Sequence, residues 1–201
     1  MNTTHKKGFT LIELLIVIGI LAVLATVTVL VLNPAQLFAQ ARDSQRIQDL
    51  STLSGAINLY ITTTTSPDLD GPDGTFSCAS NFGATLTTGT ASTSMDGGDV
   101  SQQGVFAIDG TGWVPIDFTS MSSVGGSPIP TLPRDPSNTG TAAPNGLYYQ
   151  YKCDNTNDWY EFNANLESIR YSNGGADDRE STDGGDNSAY YETGNAPGFS
   201  L

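Results

Sequence analysis

A single carboxylate lies inside an otherwise apolar N-terminal run, and its presence there needs a chemical explanation. The run extends from Phe9 to Leu32, and Glu13 lies near its start. A carboxylate inside a bilayer costs on the order of 2–3 kcal/mol, so it marks a functional site and needs a partner. Hydrolysis of the Gly8–Phe9 peptide bond would supply one, because the new α-amine of Phe9 would be a cation. The pair could form within one helix or between two staggered helices, where either charge alone is unfavourable.

Two other interpretations of the run stay open. A cleaved secretory signal would explain the basic N-terminus, but its apolar core is usually only ~7–15 residues long. The nearest small-x-small cleavage site, residues 39–41, lies beyond the run. A plain membrane anchor fits the length, since residues 9–32 rise ~1.5 Å each and span a ~30 Å hydrocarbon layer. An anchor alone leaves Glu13 unexplained. Lys6 and Lys7 place the N-terminus in the cytoplasm.

The rest of the chain offers little catalytic chemistry. His5 is the single histidine and precedes Gly8, so the later chain lacks Ser-His-Asp and Cys-His catalysis in their usual forms. Paired carboxylates remain, but this loop-rich sequence gives no argument for an apolar cleft. The formal charge is −13, and without Lys6 and Lys7 six basic residues face 21 acidic ones, giving −15. We therefore predict no enzyme activity, no cofactor and no nucleic-acid partner.

Two acidic segments raise the question of calcium. The segment DLDGPDG, from Asp68, fails the calcium-loop pattern because Pro72 and Asp73 occupy its fifth and sixth places. The segment DDRESTDGGD supplies the calcium candidates Asp177, Asp178, Asp183 and Asp186. A solvated acidic tail is the commoner explanation of such a segment, and we favour it.

The two cysteines, Cys78 and Cys153, would be free thiols in a reducing compartment. Because the N-terminus favours export, we predict that they form one disulfide. Two buried thiols that never meet are the alternative.

Residues 33–65 are predicted to continue the N-terminal helix as an amphipathic segment. Leu50, Leu53, Ile57 and Tyr60 follow the spacing of one helical face. Four charged residues are expected mainly off this face, with Arg46 paired to Asp49: Arg42, Asp43, Arg46 and Asp49. Pro34 removes a backbone donor, so we expect a kink or a melted stretch at residues 31–34. The helix should end within residues 62–65, before Pro67.

Residues 66–201 are predicted to form a globular head with long loops, few short strands and an acidic, Gly-rich tail from residue 172. Residues 66–103 are expected to be loop. Residues 104–109 and 112–118 are predicted as two short strands joined by a turn. The clearest hairpin joins LYYQYKC to DWYEFNANLE, and its aromatic side chains should pack against the helix.

The segment KKGFTLIELLIVIGILAVLA resembles the processing signal of type IV pilins and type II secretion pseudopilins. In that family a prepilin peptidase cuts after the glycine and N-methylates the phenylalanine, and the glutamate guides assembly. The resemblance assigns these roles to Gly8, Phe9 and Glu13. It also implies an α+β pilin fold, with one long N-terminal helix packed on a small antiparallel sheet. The G-type pseudopilins bind calcium in a C-terminal loop, which keeps the calcium question open.

The resemblance divides the chain into a leader (1–8), a transmembrane and assembly helix (9–32), its amphipathic continuation (33–65) and a head (66–201). It implies a single-pass inner-membrane protein that later joins a cell-surface filament. The expected partners are further copies of the chain, prepilin peptidase, an assembly ATPase and a platform protein. A type II secretion pseudopilin, forming a short periplasmic filament, is the first alternative. A membrane-anchored binding module that never polymerises is the second.

Overall fold

The computed structural model describes residues 8–72, 74, 76–86, 99–121, 125–138 and 146–198, without the side chains of residues 30 and 99–103. The chain forms two compact units, which meet in sequence between Phe38 and Ala39. The elements are α1 (Leu11–Leu32), α2 (Pro34–Thr63), β1 (Asn81–Ala84), β2 (Asp99–Gln103), a 3₁₀ turn (Phe118–Ser120), β3 (Tyr149–Asp154), β4 (Trp159–Ala164) and β5 (Tyr191–Gly194).

Helix α1 makes up most of the N-terminal unit, and its described side chains are exposed all round. Leu11–Val29 is long and apolar enough to cross a membrane. Its two threonines satisfy their hydroxyls inside the helix, because Thr26 Oγ1 donates to the Ala22 carbonyl at 2.6 Å and Thr28 Oγ1 to the Ala25 carbonyl at 2.9 Å. The helix therefore presents almost nothing but apolar surface.

The helix is interrupted at Asn33, which has a left-handed backbone with φ 41° and caps the end of α1. Asparagine tolerates this conformation better than most residues other than glycine. Pro34 then opens α2 at the first helical position, where its missing N–H costs nothing. The Asn33–Pro34 pair thus both ends one helix and begins the next.

The head begins at Ala39 and packs α2 against the sheet. The buried positions of α2 lie mostly three or four residues apart along one face: Ala39, Asp43, Arg46, Leu50, Leu53, Ala56, Ile57 and Tyr60. From Leu50 onward, its apolar members pack in one cluster with Trp113 and with four aromatic side chains of β3 and β4: Tyr149, Tyr151, Tyr160 and Phe162. Trp113 lies 6.1 Å from Tyr149 and 5.9 Å from Phe162, ring centre to ring centre.

The sheet has the strand order β2-β1-β3-β4-β5. The pairs β1–β3, β3–β4 and β4–β5 are antiparallel, and β2 joins β1 in parallel at one edge. The predicted hairpin is confirmed, with Tyr149 opposite Ala164 and Asp154 opposite Trp159. An apolar N-terminal helix with a small, mainly antiparallel sheet confirms the predicted α+β fold.

The two strands predicted within residues 104–118 are wrong. Asp109 and Asp117 form an isolated bridge, and Trp113 donates its N–H to the Val105 carbonyl at 2.8 Å. Gly112 lies so close to Ala107 that an added Cβ would be 2.1 Å from the Ala107 carbonyl oxygen. The segment is a folded loop rather than a ladder, and its buried apolar side chains lie in its second half: Trp113, Val114, Ile116 and Phe118. The strands β1, β2 and β5 lie in segments that were predicted as loop or tail.

Both faces of β3 are buried. The second face carries polar side chains that are at most 5% exposed: Gln150, Lys152, Glu161, Asn163 and Glu192. The C-terminal segment covers part of it, since Gly198 donates its N–H to Glu161 and Gly185 lies against the Glu192 carboxylate.

Candidate functional site

The Gly8–Phe9 bond lies just before the first turn of α1, in non-helical backbone. The Phe9 side chain is 91% exposed. A Cβ added to Gly8 would meet nothing within 4 Å, so nothing in the described chain requires glycine at this position. The requirement for glycine would then come from whatever enzyme acts on the bond.

Glu13 closes a capping box with Thr10, the N-cap of α1. Glu13 Oε2 accepts from the Thr10 backbone N–H at 2.8 Å and from Thr10 Oγ1 at 2.7 Å. The Glu13 N–H donates in return to Thr10 Oγ1 at 3.3 Å. The carboxylate is thus folded back towards the helix N-terminus, where the helix dipole also favours a negative charge.

Thr10 is a hydrogen-bond partner of Glu13 that the sequence argument missed. Thr10 and Glu13 form the pattern T-x-x-E, which predicts a capping box before an apolar run. In the uncut chain, Phe9 contributes a peptide nitrogen rather than an amine, and Thr10 supplies the hydrogen bonds to Glu13. Hydrolysis at Gly8 would create a cation directly beside this box.

The apolar surface of α1 carries a shallow groove beside Gly19. It is lined by Leu15, Ile16, Gly19, Ile20, Val23 and Leu24. A Cβ at Gly19 would meet nothing within 4 Å, so the fold of this chain does not require glycine there. In membranes, small residues on a helix let a neighbouring helix approach closely. The groove is therefore suited to contact with another apolar helix.

A buried ionic group, here called the Arg46 cluster, joins the start of the packed part of α2 to two distant loops. Its members are Arg42, Asp43, Arg46, Asp135, Ser137 and Glu167. The predicted pairing of Arg46 with Asp49 is wrong: Arg46 bonds Asp43 at 2.7 Å and Asp135 at 2.6 and 3.0 Å. Arg46 and Asp43 are both 0% exposed, on the helix face that was predicted to be apolar.

The Arg46 cluster satisfies its charges from several directions. Arg42 binds both oxygens of Glu167, at 2.9 and 2.5 Å, and Arg46 Nη2 reaches the same carboxylate at 2.6 Å. Asp43 also accepts the backbone N–H groups of Glu167 at 2.9 Å and Ser168 at 2.8 Å. The hydrogen bond from Arg42, with help from Arg46, lowers the pKa of Glu167 to about 2. Burial opposes the charge of Arg46, but Asp135 and Glu167 outweigh it and raise its pKa.

The register of α2 could have revealed these residues. Asp43 and Arg46 continue the three-four spacing of Leu50, Leu53 and Ile57 towards the N-terminus. Asp49 has a different role, because its carboxylate accepts the Tyr149 hydroxyl at 2.9 Å.

Cys78 and Cys153 form a disulfide that ties the loop before β1 to β3. Asp70 lies next to it and bonds the Asn155 amide at 2.8 Å, while Asp68 accepts the Gly71 N–H at 3.0 Å. Asp73 falls outside the described residues. Asp70 therefore holds the loop on the β3–β4 turn, and Asp68 supports the backbone of the loop itself.

Three of the four calcium candidates act as hydrogen-bond or ion-pair partners within the tail. Asp178 accepts the N–H groups of Gly174 at 2.8 Å and Ser181 at 2.9 Å, and Asp183 accepts that of Glu192 at 2.6 Å. Asp177 lies 3.1 Å from Arg179. The fourth candidate, Asp186, lies where Gly198 passes close to it. Across the described residues, no three His, Cys, Asp or Glu side chains are grouped to hold a metal. The expectation of no cofactor, with calcium as the less favoured alternative, stays a prediction.

Glu192 on β5 is an acidic residue that the sequence argument did not select. It is 1% exposed, and its Oε2 accepts the Asn187 N–H at 2.8 Å. Within the described part of the chain its Oε1 has no hydrogen-bond partner. Burial, with like charge from Glu161 and Asp183, raises its pKa to about 8.

Comparison with known proteins places the N-terminal segment in a family. Residues 3–29 match the family model described as the prokaryotic N-terminal methylation motif, which is the signature of type IV pilins and pseudopilins. The match includes Gly8, Phe9, Glu13 and the Gly19 groove. No curated protein and no solved structure matches the chain. The chain thus carries, at its N-terminus, the signal that is typical of prepilin-peptidase substrates.

Proposed function

We propose that this chain is a pilin, the structural subunit of a type IV pilus-like extracellular filament. The observation that carries the proposal is the arrangement at the N-terminus. An exposed Gly8–Phe9 bond, within the methylation motif, precedes a capped apolar helix whose one carboxylate lies in its first turn.

Processing begins in the cytoplasmic membrane, with the leader inside and α1 across the bilayer. Prepilin peptidase hydrolyses the Gly8–Phe9 amide, so that Gly8 leaves with a carboxylate and Phe9 keeps a cationic α-amine. The same enzyme then N-methylates that amine, which stays basic. Before the cut, Thr10 holds the Glu13 carboxylate and reduces the cost of keeping it in an apolar layer.

Assembly exchanges these local hydrogen bonds for an ion pair. Glu13 of one subunit neutralises the α-amine of Phe9 in a neighbouring subunit, which fixes the stagger of the helices. Apolar side chains of adjacent copies replace lipid around α1, and the Gly19 groove accepts a neighbouring helix. An assembly ATPase and a platform protein supply the work of extracting the subunit from the membrane.

The head coats the filament. The Arg46 cluster holds its loops on α2, and the disulfide ties the loop before β1 to β3. Its excess of acidic residues would keep neighbouring filaments apart at low salt.

Shearing cells and imaging the released material tests the proposal. Filaments containing the wild-type chain are expected, and Glu13→Ala should be cleaved but not polymerised. Thr26→Ala is the matched control, because it removes a polar group of α1 that is satisfied within its own helix. Abundant filaments from Glu13→Ala would contradict the assembly role. A wild-type chain that is processed but confined to the periplasm would favour a pseudopilin instead.

A further inference from the structure

The basic residues of the head are gathered at one end of it. Six basic residues follow the leader, and five of them lie in the first turns of α2 within the head or on the two loops bound to those turns: Arg42, Arg46, Arg134, Arg170 and Arg179. The loops are residues 134–138 and residues 167–181, the second of which is here called the Ile169 loop. They are bound to Arg46 and Asp43, respectively. We call this the entry end, because the head begins at Ala39.

The opposite end of the head is acidic. Residues 47–133 contain eight Asp and neither Lys nor Arg, whereas cations and carboxylates nearly balance at the entry end. At the far end Tyr60 bonds the backbone of Asp68, and α2 rises ~21 Å between Arg46 and Tyr60. A hollow of about 470 Å³ opens there beside the disulfide, and its lining includes the carboxylates of Asp70 and Asp154.

The two carboxylates of this hollow are not paired with any cation among the described residues. Asp70 and Asp154 each accept a hydrogen bond from a neutral amide group at 2.8 Å. The basic residue nearest to Asp154 in sequence, Lys152, is buried and lies 3.1 Å from Glu161. Because an ionised carboxylate accepts several hydrogen bonds, both can still bind the guanidinium group of an arginine.

The Ile169 loop presents side chains that suit such a hollow. Ile169 is 73% exposed, and the neighbouring Arg170 side chain is 52% exposed. The carboxylates of the loop are half-buried or buried, whereas both of its arginines are exposed. Backbone hydrogen bonds fold the loop on itself, from Asp177 to the Arg170 carbonyl at 2.9 Å and from Arg179 to the Tyr171 carbonyl at 2.8 Å. A loop ordered in this way loses little conformational entropy when it binds.

We propose that the Ile169 loop of one copy docks in the hollow of a second copy of this chain, with Ile169 inside the hollow and Arg170 against its carboxylates. The two surfaces lie at opposite ends of one head, so copies that point the same way bring them together head to tail. A contact between two different surfaces does not close on itself, and it repeats along an open filament. The contact rests on the proposed function, because a filament is what aligns the copies in this way.

The contact differs from the pairing of Glu13 in the distance that it spans. Pairing of Glu13 with the amine of Phe9 offsets two copies by only ~6 Å along the helix, whereas the Ile169 loop meets a copy about one head length away. One loop and one hollow bury far less area than a stable interface, so isolated heads should not associate. Copies that α1 already holds together have a high effective concentration, and there the contact stabilises the filament.

Paired cysteines in the full chain, expressed in its native cells, test the contact. The two native cysteines are already joined, so cysteines added at exposed positions are the reactive ones. Ile169→Cys combined with Thr156→Cys places one thiol on the loop and one at the hollow. Mild oxidation should give a ladder of covalent dimers, trimers and longer chains on a non-reducing gel. Ile169→Cys combined with Thr52→Cys, at an exposed position midway along α2, is the matched control and should give no ladder.

Charge reversal separates a specific contact from simple crowding of the heads. In the Ile169→Cys, Thr156→Cys chain, Arg170→Glu should reduce the ladder about 10-fold, because a further carboxylate would then face the hollow. Adding Asp154→Arg should restore the ladder. Arg134→Glu changes an exposed arginine outside the Ile169 loop and should leave the ladder unchanged. If the β3–β4 turn does not tolerate Asp154→Arg, the difference between Arg170→Glu and Arg134→Glu decides.

The contact and the filament are scored separately. Equal ladders from the two cysteine pairs, a ladder that Arg170→Glu does not reduce, or no ladder in cells that release filaments would each overturn the contact and leave the pilin. A specific ladder in cells that release no filaments would keep the contact and reject the extracellular filament. Cells with neither ladder nor filaments would reject both.

Discussion

Glu13 and Arg46 show two ways of placing a charge where water is scarce. Glu13 takes its hydrogen bonds, among the described residues, from Thr10, three positions away in the same helix. Arg46 takes its bonds from α2 itself and from loops 89 and 121 residues further along the chain, at Asp135 and Glu167. A carboxylate with local partners can exchange them for a new cation at little cost. Arg46 cannot exchange its partners in this way, because they come from distant loops and separating them would open the fold.

The two units differ in how their apolar and charged groups are satisfied. The N-terminal unit has exposed apolar surface and a charge with replaceable partners, which suits a segment that moves from lipid into a filament. The head has the charges of its Arg46 cluster and its two cysteines already paired within one chain. The chain therefore joins an exposed apolar helix to a head whose described residues pack on one another.

Of the variants considered, Arg46→Met should lower the free energy of unfolding most. It leaves Asp43 and Asp135 buried without their cation, so we expect the free energy of unfolding to fall by roughly 3–5 kcal/mol. Urea unfolding of the full chain in micelles, followed by the fluorescence of buried Trp113, measures it. Arg179→Met is the control and should cost less than about 1 kcal/mol, because its ion pair is exposed. Equal losses of unfolding free energy in both variants would show that the buried Arg46 cluster stabilises the fold no more than an exposed ion pair does.

Removal of the disulfide is the second test. Cys78→Ser combined with Cys153→Ser should lower the free energy of unfolding by about 3 kcal/mol, because the unfolded chain regains the freedom of a long loop. Processing at Gly8 should continue at its normal rate, since the bond lies in the other unit. Loss of processing in the double variant would mean that the two units are not independent.

A change of pH should have a smaller effect on the stability of the fold. Glu192 has its pKa raised from an ordinary value of 4.5 to about 8, so the folded chain keeps a proton that the unfolded chain releases. Stability should therefore decline as the pH rises from about 4.5 to about 8. Glu192→Gln should flatten this decline in urea midpoints, while Asp186→Asn should not. An unchanged slope in Glu192→Gln would assign the pH dependence to other groups.

Sequence reasoning found what is encoded locally. Gly8, Phe9 and Glu13 form a linear motif, and the aromatic alternation of residues 147–164 predicts a hairpin without reference to any other segment. The strands β1, β2 and β5 were missed because they are short and polar, and their pairing partners lie far away in sequence. Asp43 and Arg46 were expected mainly off the buried face of α2 because a charge was taken as a sign of exposure. Their register predicted burial, but no local pattern names Asp135 as the partner.

The N-terminus of the chain from its native cells is the measurement that tests the account most directly. Intact mass and N-terminal analysis of the purified protein should give a chain that begins at Phe9 and carries one extra methyl group. An intact Met1, or a cut after Ala41, would contradict the account. Glu13 would then have no amine to pair with, and the assembly role of α1 would have to be given up.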